Sequence, residues 1–424
     1  MKPGEKQEAA YWSLLGRSRD YRNLWLGGMI SLFGDQLNHV ASILITLSIT
    51  DGSSVSAGVI VGVRFVLKML GGNVGGVLAD RHDRRFLLIL LDVIMAILAL
   101  SYIIAGRLAS VWLLFGITAL MGGANAVFST TRMAIIPDLV GKESLTQAFG
   151  LSQFSVGIAM IFGYAMGGAV VGFCGYETAF VINGLTFLIS AAFTWKVKTP
   201  QQREMSQRSQ AGRPFLGSEF ISGLRYLFGR PFLLKMILLD LAWALGGGGV
   251  FVIVAMHNFQ QLGNSEQTLG LIYSMAGVGA LLATLVCPWI GRHFKRDVFL
   301  LGASCLLEGA LFSVLVFHSN PVGVALLFGM QSTVSFVFGL IYGPLLINSV
   351  SDTMRGRVIG FEEGLFLPLY GLSSALYGFM LSRMDLTLVG LVSGGIMMLA
   401  GTVWLAAMAG GYLFEKDPAL LRQA

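Results

Sequence analysis

Apolar residues run along this chain in about a dozen long stretches, separated by short polar breaks. A helix that crosses a bilayer needs about 20 apolar residues, and these stretches have that length. The pattern predicts twelve transmembrane helices in an all-α membrane protein. Their approximate bounds are 22–48, 55–79, 86–105, 111–131, 147–172, 177–196, 231–256, 267–290, 298–317, 322–349, 358–381 and 387–412.

Positive charges predict the orientation of these helices. Loops rich in Lys and Arg stay in the cytoplasm. Nearly all the Lys and Arg outside the apolar stretches fall in alternate breaks, and only Arg107 and Arg383 fall on the opposite side. This asymmetry predicts an even number of helices, with both termini in the cytoplasm. The polar start lacks the pattern of a removable signal peptide.

The longest polar break divides the chain into two halves. Residues 197–230 are rich in Gln, Ser and Arg and predict a cytoplasmic linker. It would join a bundle of six helices at 22–196 to another at 231–412, with cytoplasmic ends at 1–21 and 413–424.

The two halves echo one another in their polar breaks. Arg81–Arg85 is followed half a chain length later by the similar segment Arg292–Arg296, and Pro137-Asp138 by Ser351-Asp352. These echoes predict an internal duplication, and therefore two pseudo-symmetric bundles. Parallel repeats of this kind place the substrate site between the halves near the bilayer midplane.

Composition narrows the class of protein. Hydrophobic residues make up 55% of the 424 and charged residues 12%, whereas soluble domains carry about 25% charged residues. The net charge of +6 does not indicate nucleic-acid binding, because the basic residues lie in short breaks between apolar stretches. Cys174, Cys287 and Cys305 lack CxxC or Cys/His spacing, so neither a metal site nor a disulfide is expected.

No enzyme or cofactor motif stands out in the sequence. A P-loop, a GxSxG elbow and an HExxH pair are all missing. We therefore expect no enzymatic activity and no cofactor, and we expect energy to come from an ion gradient.

The break after the second apolar stretch reads Gly76-Val77-Leu78-Ala79-Asp80-Arg81-His82-Asp83-Arg84-Arg85. It resembles the signature loop of the major facilitator superfamily, G-x-x-x-D-R-x-G-R-R, with Asp83 in place of the usual Gly. The resemblance implies twelve helices in two six-helix bundles. We expect Gly76 to permit close helix approach, and Asp80, Arg81, Arg84 and Arg85 to form a cytoplasmic latch of ion pairs.

The fifth stretch is similar to a motif found in antiporters of that superfamily. The matching positions are Gly150, Ala159, Gly163, Tyr164, Gly167 and Gly168. Ala159 replaces a Gly and Tyr164 replaces a Pro, so the expected kink is missing. Ordinary packing of small residues between helices remains the alternative.

Further segments are similar to the branch of the superfamily that contains enterobactin and macrolide exporters. They are Tyr21–Leu26, Gly34-Asp35, Arg132–Val140 and Arg355–Val358. This resemblance implies a monomeric inner-membrane exporter driven by protons. Its cargo would be a small amphiphile such as a drug, a macrolide or a siderophore, with drug resistance or siderophore export as the outcome. Uptake, lysophospholipid flipping, and a transport-inactive sensor or enzyme remain alternatives.

Charged residues inside the predicted helices are candidate functional groups, because a charge at the bilayer centre costs about 2.5–3.5 kcal/mol on insertion scales. Asp35, Asn38 and His39 share one face of the first helix, and Arg64 and Lys68 share one face of the second. We expect Asp35 to pair with Arg64 or Lys68, with His39 extending a proton relay. A permanent structural ion pair is the alternative.

The second half contributes fewer buried charges. Asp240 is a candidate for the cavity, and Glu308 is a candidate for either an interface or lipid contact. Acids near the cytoplasmic ends are expected to pair with basic loops and form a gate. The residues expected at this gate are Asp92, Arg132, Asp138, Arg355, Arg357, Glu362 and Glu363.

Overall fold

The structure is a computed structural model that describes residues 14–198, 224–293, 297–351 and 354–413. All regular secondary structure in these residues is helical. The first half contains α1 Arg19–Ile49, α2 Ser54–Arg81, α3 Arg84–Arg107, α4 Val111–Val140 and the segment Leu145–Trp195, which holds α5 and α6. The second half contains α7a Pro231–Gly247, α7b Val250–Gln261, α8 Glu266–His293, α9 Asp297–Leu315, α10 Pro321–Ser349, α11 Arg355–Leu381 and α12 Leu386–Ala409.

Some sequence features lie outside the described side chains. They are the basic echo at 292–296, Asp352, residues 199–223 of the expected linker, and the expected cytoplasmic ends before residue 14 and after residue 413.

Ten helical segments of the described chain are long and apolar enough to cross a membrane. Leu145–Trp195 counts once among them, although Gly175 divides it: its φ of 81° and ψ of 169° are not helical, so α5 and α6 meet without an intervening loop. α1 is not among the ten, although it is 31 residues long. Its apolar stretch is interrupted by Asp35, Gln36, Asn38 and His39.

The described residues form two compact units. One unit contains the chain up to Asp51 and again from Val63 through α6, and the other contains residues 52–62 together with the second half. The start of α2 therefore packs with the second half, which the sequence did not indicate. Glycines allow this contact: a Cβ on Gly58 would lie 2.6 Å from the Ser374 carbonyl oxygen, and one on Gly62 would lie 2.3 Å from that of Gly371.

Small residues hold α1 close to α5 and α6 in the first unit. A Cβ on Gly163 would lie 2.8 Å from the carbonyl oxygen of Phe33, and one on Gly167 would lie 3.1 Å from that of Leu37. On α1 itself, a Cβ on Gly34 would lie 2.1 Å from Oγ1 of Thr186. These helices are close enough for their backbones to touch, which fixes the depth of the polar residues of α1.

Gly34→Ala is expected to destabilise the first unit. The new methyl group would clash with Thr186 and with Asn183 Oδ1, 2.5 Å away, and overpacking of this kind costs about 1–3 kcal/mol. The melting temperature of the detergent-solubilised protein should fall. Gly72→Ala is the matched control, because nothing lies within 4 Å of its Cβ and Ala favours a helix by about 1 kcal/mol. Equal responses of the two variants would contradict the packing described here.

The seventh predicted helix is one span, Pro231–Gln261, long and apolar enough to cross a membrane. α7a ends at Gly247 and α7b begins at Val250, but Gly248 and Gly249 between them keep right-handed helical backbone angles. Three serine hydroxyls bind carbonyl groups at this glycine run: Ser373 donates to Leu245 at 2.6 Å, Ser374 to Gly248 at 2.6 Å and Ser393 to Gly246 at 2.8 Å. Neighbouring side chains can satisfy backbone groups that a local irregularity of a membrane helix leaves free.

Candidate functional site

Asp35 lies buried in the middle of α1, inside the first unit. Its Oδ2 accepts a 2.7 Å hydrogen bond from Nδ2 of Asn125 on α4. Arg64 and Lys68 of α2 are near enough for their positive charges to act on this carboxylate. Neither makes a direct ion pair with it, so the predicted pairing of Asp35 with Arg64 or Lys68 is wrong in its geometry. The side chain in direct contact with the Asp35 carboxylate is that of Asn125.

Arg64 instead contacts the histidine of the predicted relay. Its Nη1 lies 3.1 Å from Nδ1 of His39. Because a guanidinium carries only donors, Nδ1 must be the acceptor, and the neutral ring then carries its proton on Nε2. While this bond persists, His39 cannot take up a proton at Nδ1. The ring centroid also lies 5.9 Å from that of Tyr164 on α5.

The three polar residues of α1 thus point to three different helices. Asp35 reaches α4, His39 reaches α2, and Asn38 faces Tyr102 on α3. Lys68 places its Nζ 5.7 Å from the ring centroid of Phe65. Asp35, Asn38 and His39 lie at similar depth because they share one face of α1, but each has a different partner.

A cavity of about 200 Å³ opens beside Asp35 within the first unit. Its polar lining comes from Ser31, Asp35, Asn125, Ser129, Arg132, Ser152 and Gln153. Met95, Phe128, Val156 and Phe187 add apolar surface. Such a mixture of apolar walls and a few polar groups is typical of small-molecule sites.

Arg132 lines this cavity and is not in a cytoplasmic loop as predicted. The sequence predicted that the fourth helix ends at residue 131, but α4 continues through Pro137 to Val140. The guanidinium lies against Gly28 of α1, where a Cβ would be 2.3 Å from its Cζ. A larger residue at position 28 would require the guanidinium to move.

Asp92 also differs from its predicted place. We expected it to pair with a basic loop, but its side chain is 0% exposed. The Ser190 hydroxyl lies near its carboxyl group, although the two do not form a well-aligned hydrogen bond. Arg132 is the cation that acts on it electrostatically. Asp92 and Arg132 are therefore buried near each other without direct contact.

Arg84 ties the signature loop to α4. Arg84 Nη1 binds Asp138 Oδ2 at 2.8 Å and the Ala134 carbonyl at 2.7 Å, which ties the start of α3 to the end of α4. Asp83, the departure from the family pattern, caps α3 by accepting a 2.8 Å hydrogen bond from the Phe86 amide. An aspartate is a good N-cap residue, so the change is structurally favourable.

The remaining residues of the signature loop differ from one another in exposure and in their contacts. Asp80 and Arg81 are exposed, and Arg85 donates to the Trp195 carbonyl. A Cβ on Gly76 would have nothing within 4 Å, so this glycine does not mediate close approach as predicted. Gly75 does: its Cβ would lie 2.9 Å from Cα of Val127 on α4.

The Arg84–Asp138 pair is expected to contribute modestly to stability. The Asp138 side chain is half-exposed, and pairs of this kind are worth about 0.2–1 kcal/mol. A double-mutant cycle with alanine at both positions should give a coupling energy in that range. Arg84→Ala should be the worse single variant, because the mostly buried arginine also binds Ala134. A coupling energy of zero would contradict a latch.

The antiporter-like positions of α5 contact α1. Gly163 and Gly167 meet its backbone, while Ala159, Tyr164 and Gly168 are buried and Gly150 is half-buried. These contacts have the geometry of ordinary small-residue packing, the alternative left open by the sequence.

The second unit has its own buried acids. Glu308 is 1% exposed and accepts hydrogen bonds from Trp243 Nε1 at 2.7 Å and Gln331 Nε2 at 2.8 Å. It faces protein, so contact with lipid is ruled out. Asp240 lies next to Glu362 of α11, within hydrogen-bonding reach.

We predicted that Glu362 pairs with a basic loop. It lies beside Asp240 instead. Glu363, its neighbour, is exposed. Arg355 donates to the Ile347 carbonyl at 3.3 Å, and Arg357 Nη1 lies 3.6 Å from Sδ of Met354. Among the described residues, no group of three or more His, Cys, Asp or Glu side chains is arranged to hold a metal ion.

The helical spans and their buried polar groups define a multi-pass membrane transporter. The chain belongs to the Major Facilitator Superfamily, whose family model matches residues 24–367. Its relatives and its fold are those of transporters and not of enzymes.

Named relatives are distant. The chain is 24% identical to the enterobactin exporter EntS of Salmonella typhimurium over 425 residues, which is 96% of each chain. It is 24% identical over 350 residues to the uncharacterised MFS-type transporter YfiS of Bacillus subtilis, covering 79% of this chain and 80% of the relative. The fold matches a bacterial homologue of the human lysosomal transporter Spinster with a TM-score of 0.73 at 16% identity, over 95% of this chain and 99% of the homologue.

Proposed function

We propose that this chain is a proton-coupled exporter of small amphiphilic molecules that works by alternating access in a bacterial inner membrane. The observation that carries the proposal is Asp35, a buried acid that lines a polar cavity and contacts Asn125. An ionisable side chain within a membrane span is a functional candidate by default. We propose that Asp35 binds and releases the coupled proton, and that both termini are cytoplasmic.

The energy for uphill export would come from the proton gradient. A membrane potential of 100 mV supplies about 2.3 kcal/mol for each charge moved. A carboxyl group that faces the cavity can exchange a proton for cargo, because the ionised and the neutral forms differ in the charge that they offer to the cargo. Arg132 and Gln153 add hydrogen-bond donors to the same cavity.

The proposed cargo is a siderophore, a macrolide or a similar drug. The cavity combines aromatic and thioether surface from Phe128, Phe187 and Met95 with the donors of Asn125 and Arg132. This lining suits a molecule with apolar rings and several polar groups. The relative EntS, named for enterobactin, supports a siderophore as the first cargo to be tested.

The test uses inside-out membrane vesicles that contain the full chain. A catecholate siderophore, a macrolide and a lysophospholipid are offered with a proton gradient and, separately, after its collapse by a protonophore. We expect the siderophore or the macrolide to accumulate only with the gradient, relative to vesicles without the protein. Accumulation that survives the protonophore, or movement of the lysophospholipid alone, would contradict the proposal.

A further inference from the structure

We propose that Asp240, Glu362 and Tyr342 form a second proton-binding site, in which the two carboxyl groups hold one proton between them. Its place in a transport cycle rests on the proton coupling proposed above, but the presence of the shared proton does not. The site lies entirely in the second unit, where α7a, α10 and α11 meet.

The two carboxyl groups are buried together. Asp240 is 5% exposed and Glu362 is 9% exposed, and their side chains lie within hydrogen-bonding reach of each other. An ionised carboxylate can only accept hydrogen bonds, so this contact requires that one of the two groups keeps a proton. Two ionised carboxylates at this distance would also repel each other strongly in a medium of low dielectric constant.

The surroundings offer no positive charge in compensation. Among the described residues, no Lys, Arg or His lies within ion-pair distance of Asp240 or Glu362. The titratable groups near the pair are Tyr342 on α10, Cys305 on α9 and Glu363 on α11. All of them are neutral or acidic. This differs from the first unit, where Arg64 and Lys68 surround Asp35.

Tyr342 adds a hydroxyl donor to the site. Its side chain is 7% exposed and lies close to both carboxyl groups, and its hydroxyl has no hydrogen-bond partner among the described residues. Within the same part of the chain, Oδ2 of Asp240 is likewise without a partner. An unsatisfied buried polar group costs about 1–3 kcal/mol. A free donor beside an acid pair can stabilise the negative charge that appears when the proton leaves.

The location also links the proton to helix movement. Glu362 belongs to α11, whose Ser373 and Ser374 bind carbonyl groups at the glycine run between α7a and α7b. A shift of α11 against α7a would separate Asp240 from Glu362, and each carboxyl group would lose its partner. Proton release and rearrangement of this helix pair are therefore coupled.

The test is infrared spectroscopy of the purified full chain in lipid nanodiscs during a pH titration, with no cargo present. The carbonyl-stretch band of protonated carboxyl groups is compared between wild type and Asp240→Asn/Glu362→Gln, whose amides can still bond to each other. We expect the double variant to lose the intensity of one protonated carboxyl group. Loss of no intensity, or of the intensity of two groups, would overturn the proposal.

Two further variants sharpen the result. Glu363→Gln, at the exposed neighbouring acid, should leave the band at neutral pH unchanged. Asp35→Asn should remove only the contribution of Asp35, and the double variant should lose the same intensity whether or not Asp35→Asn is also present. The transport assay of Asp35→Asn tests the proposed function, and the infrared titration tests the shared proton. Either proposal can therefore fail without the other. Should the double variant fail to fold, Tyr342→Phe removes only the hydroxyl, and its band should persist to higher pH than in wild type. An unchanged titration of that variant would overturn the role of Tyr342.

Discussion

Asp35→Asn is expected to reduce gradient-driven export to the level of vesicles without the protein. The amide has nearly the same size and its oxygen can still accept from Asn125, so the packing of α1 should be kept. It cannot ionise, and therefore it cannot bind and release a proton during the cycle. Exchange of labelled for unlabelled cargo across the membrane, which needs no net proton movement, should continue in this variant.

The matched control is Asp385→Asn. Asp385 caps α12 by accepting a 2.9 Å hydrogen bond from the Thr387 amide, and asparagine is an equally good cap. This variant should export as wild type does. Full gradient-driven export by Asp35→Asn would contradict the role of Asp35, and loss of both export and exchange would indicate a defect in cargo binding instead.

Arg132→Gln is expected to lower the stability of the first unit. Asp92 is 0% exposed, the Ser190 hydroxyl lies near it, and Arg132 supplies the positive charge that offsets its ionised form. Breaking a buried ion pair in direct contact costs about 3 kcal/mol, and the loss should be smaller here because Arg132 does not touch Asp92. The melting temperature in detergent should fall below that of wild type.

The loss should be reversed by removing the second charge. Arg132→Gln/Asp92→Asn leaves no uncompensated charge and should regain most of the lost stability. Arg107→Gln is the control: Arg107 binds Glu177 directly at 2.8 Å, but both side chains are exposed, and such a pair is worth less than about 1 kcal/mol. A stability of the double variant no better than that of Arg132→Gln would contradict the electrostatic link.

The number of helices and their approximate positions could be predicted from the sequence, because they depend on the length and polarity of each apolar stretch. The end of α4 could not. The sequence Ser129-Thr130-Thr131-Arg132 is polar in the way that a loop is polar, but in the structure this part of the helix lines a cavity that accepts polar groups. Arg132 was therefore assigned to the wrong region.

Partners of the buried charges were harder to predict than their depth. Counting residues from the helix ends placed Asp35 and Arg64 at similar depths, but it does not give the rotation of each helix about its axis. That rotation decides that Asp35 meets Asn125, that Arg64 meets His39 and that Glu362 meets Asp240. A polar Asn125 in the middle of an apolar stretch was the one available signal, and it was missed.

Close helix contacts show the same limit. Gly75 and Gly76 are adjacent in a helix and face different directions, so only one of them can meet α4. The family pattern drew attention to Gly76, whereas Gly75 makes the contact. A motif fixes a position along the chain, while helix rotation fixes the neighbour.

The most direct test of proton coupling at Asp35 is the number of protons that the purified protein releases when cargo binds. Cargo found in the vesicle assay is added to wild type and to Asp35→Asn in weakly buffered detergent solution, and the pH is followed. We predict release of protons from wild type and none from Asp35→Asn. No release from wild type, or equal release from both proteins, would contradict the assignment of Asp35 as the coupling acid.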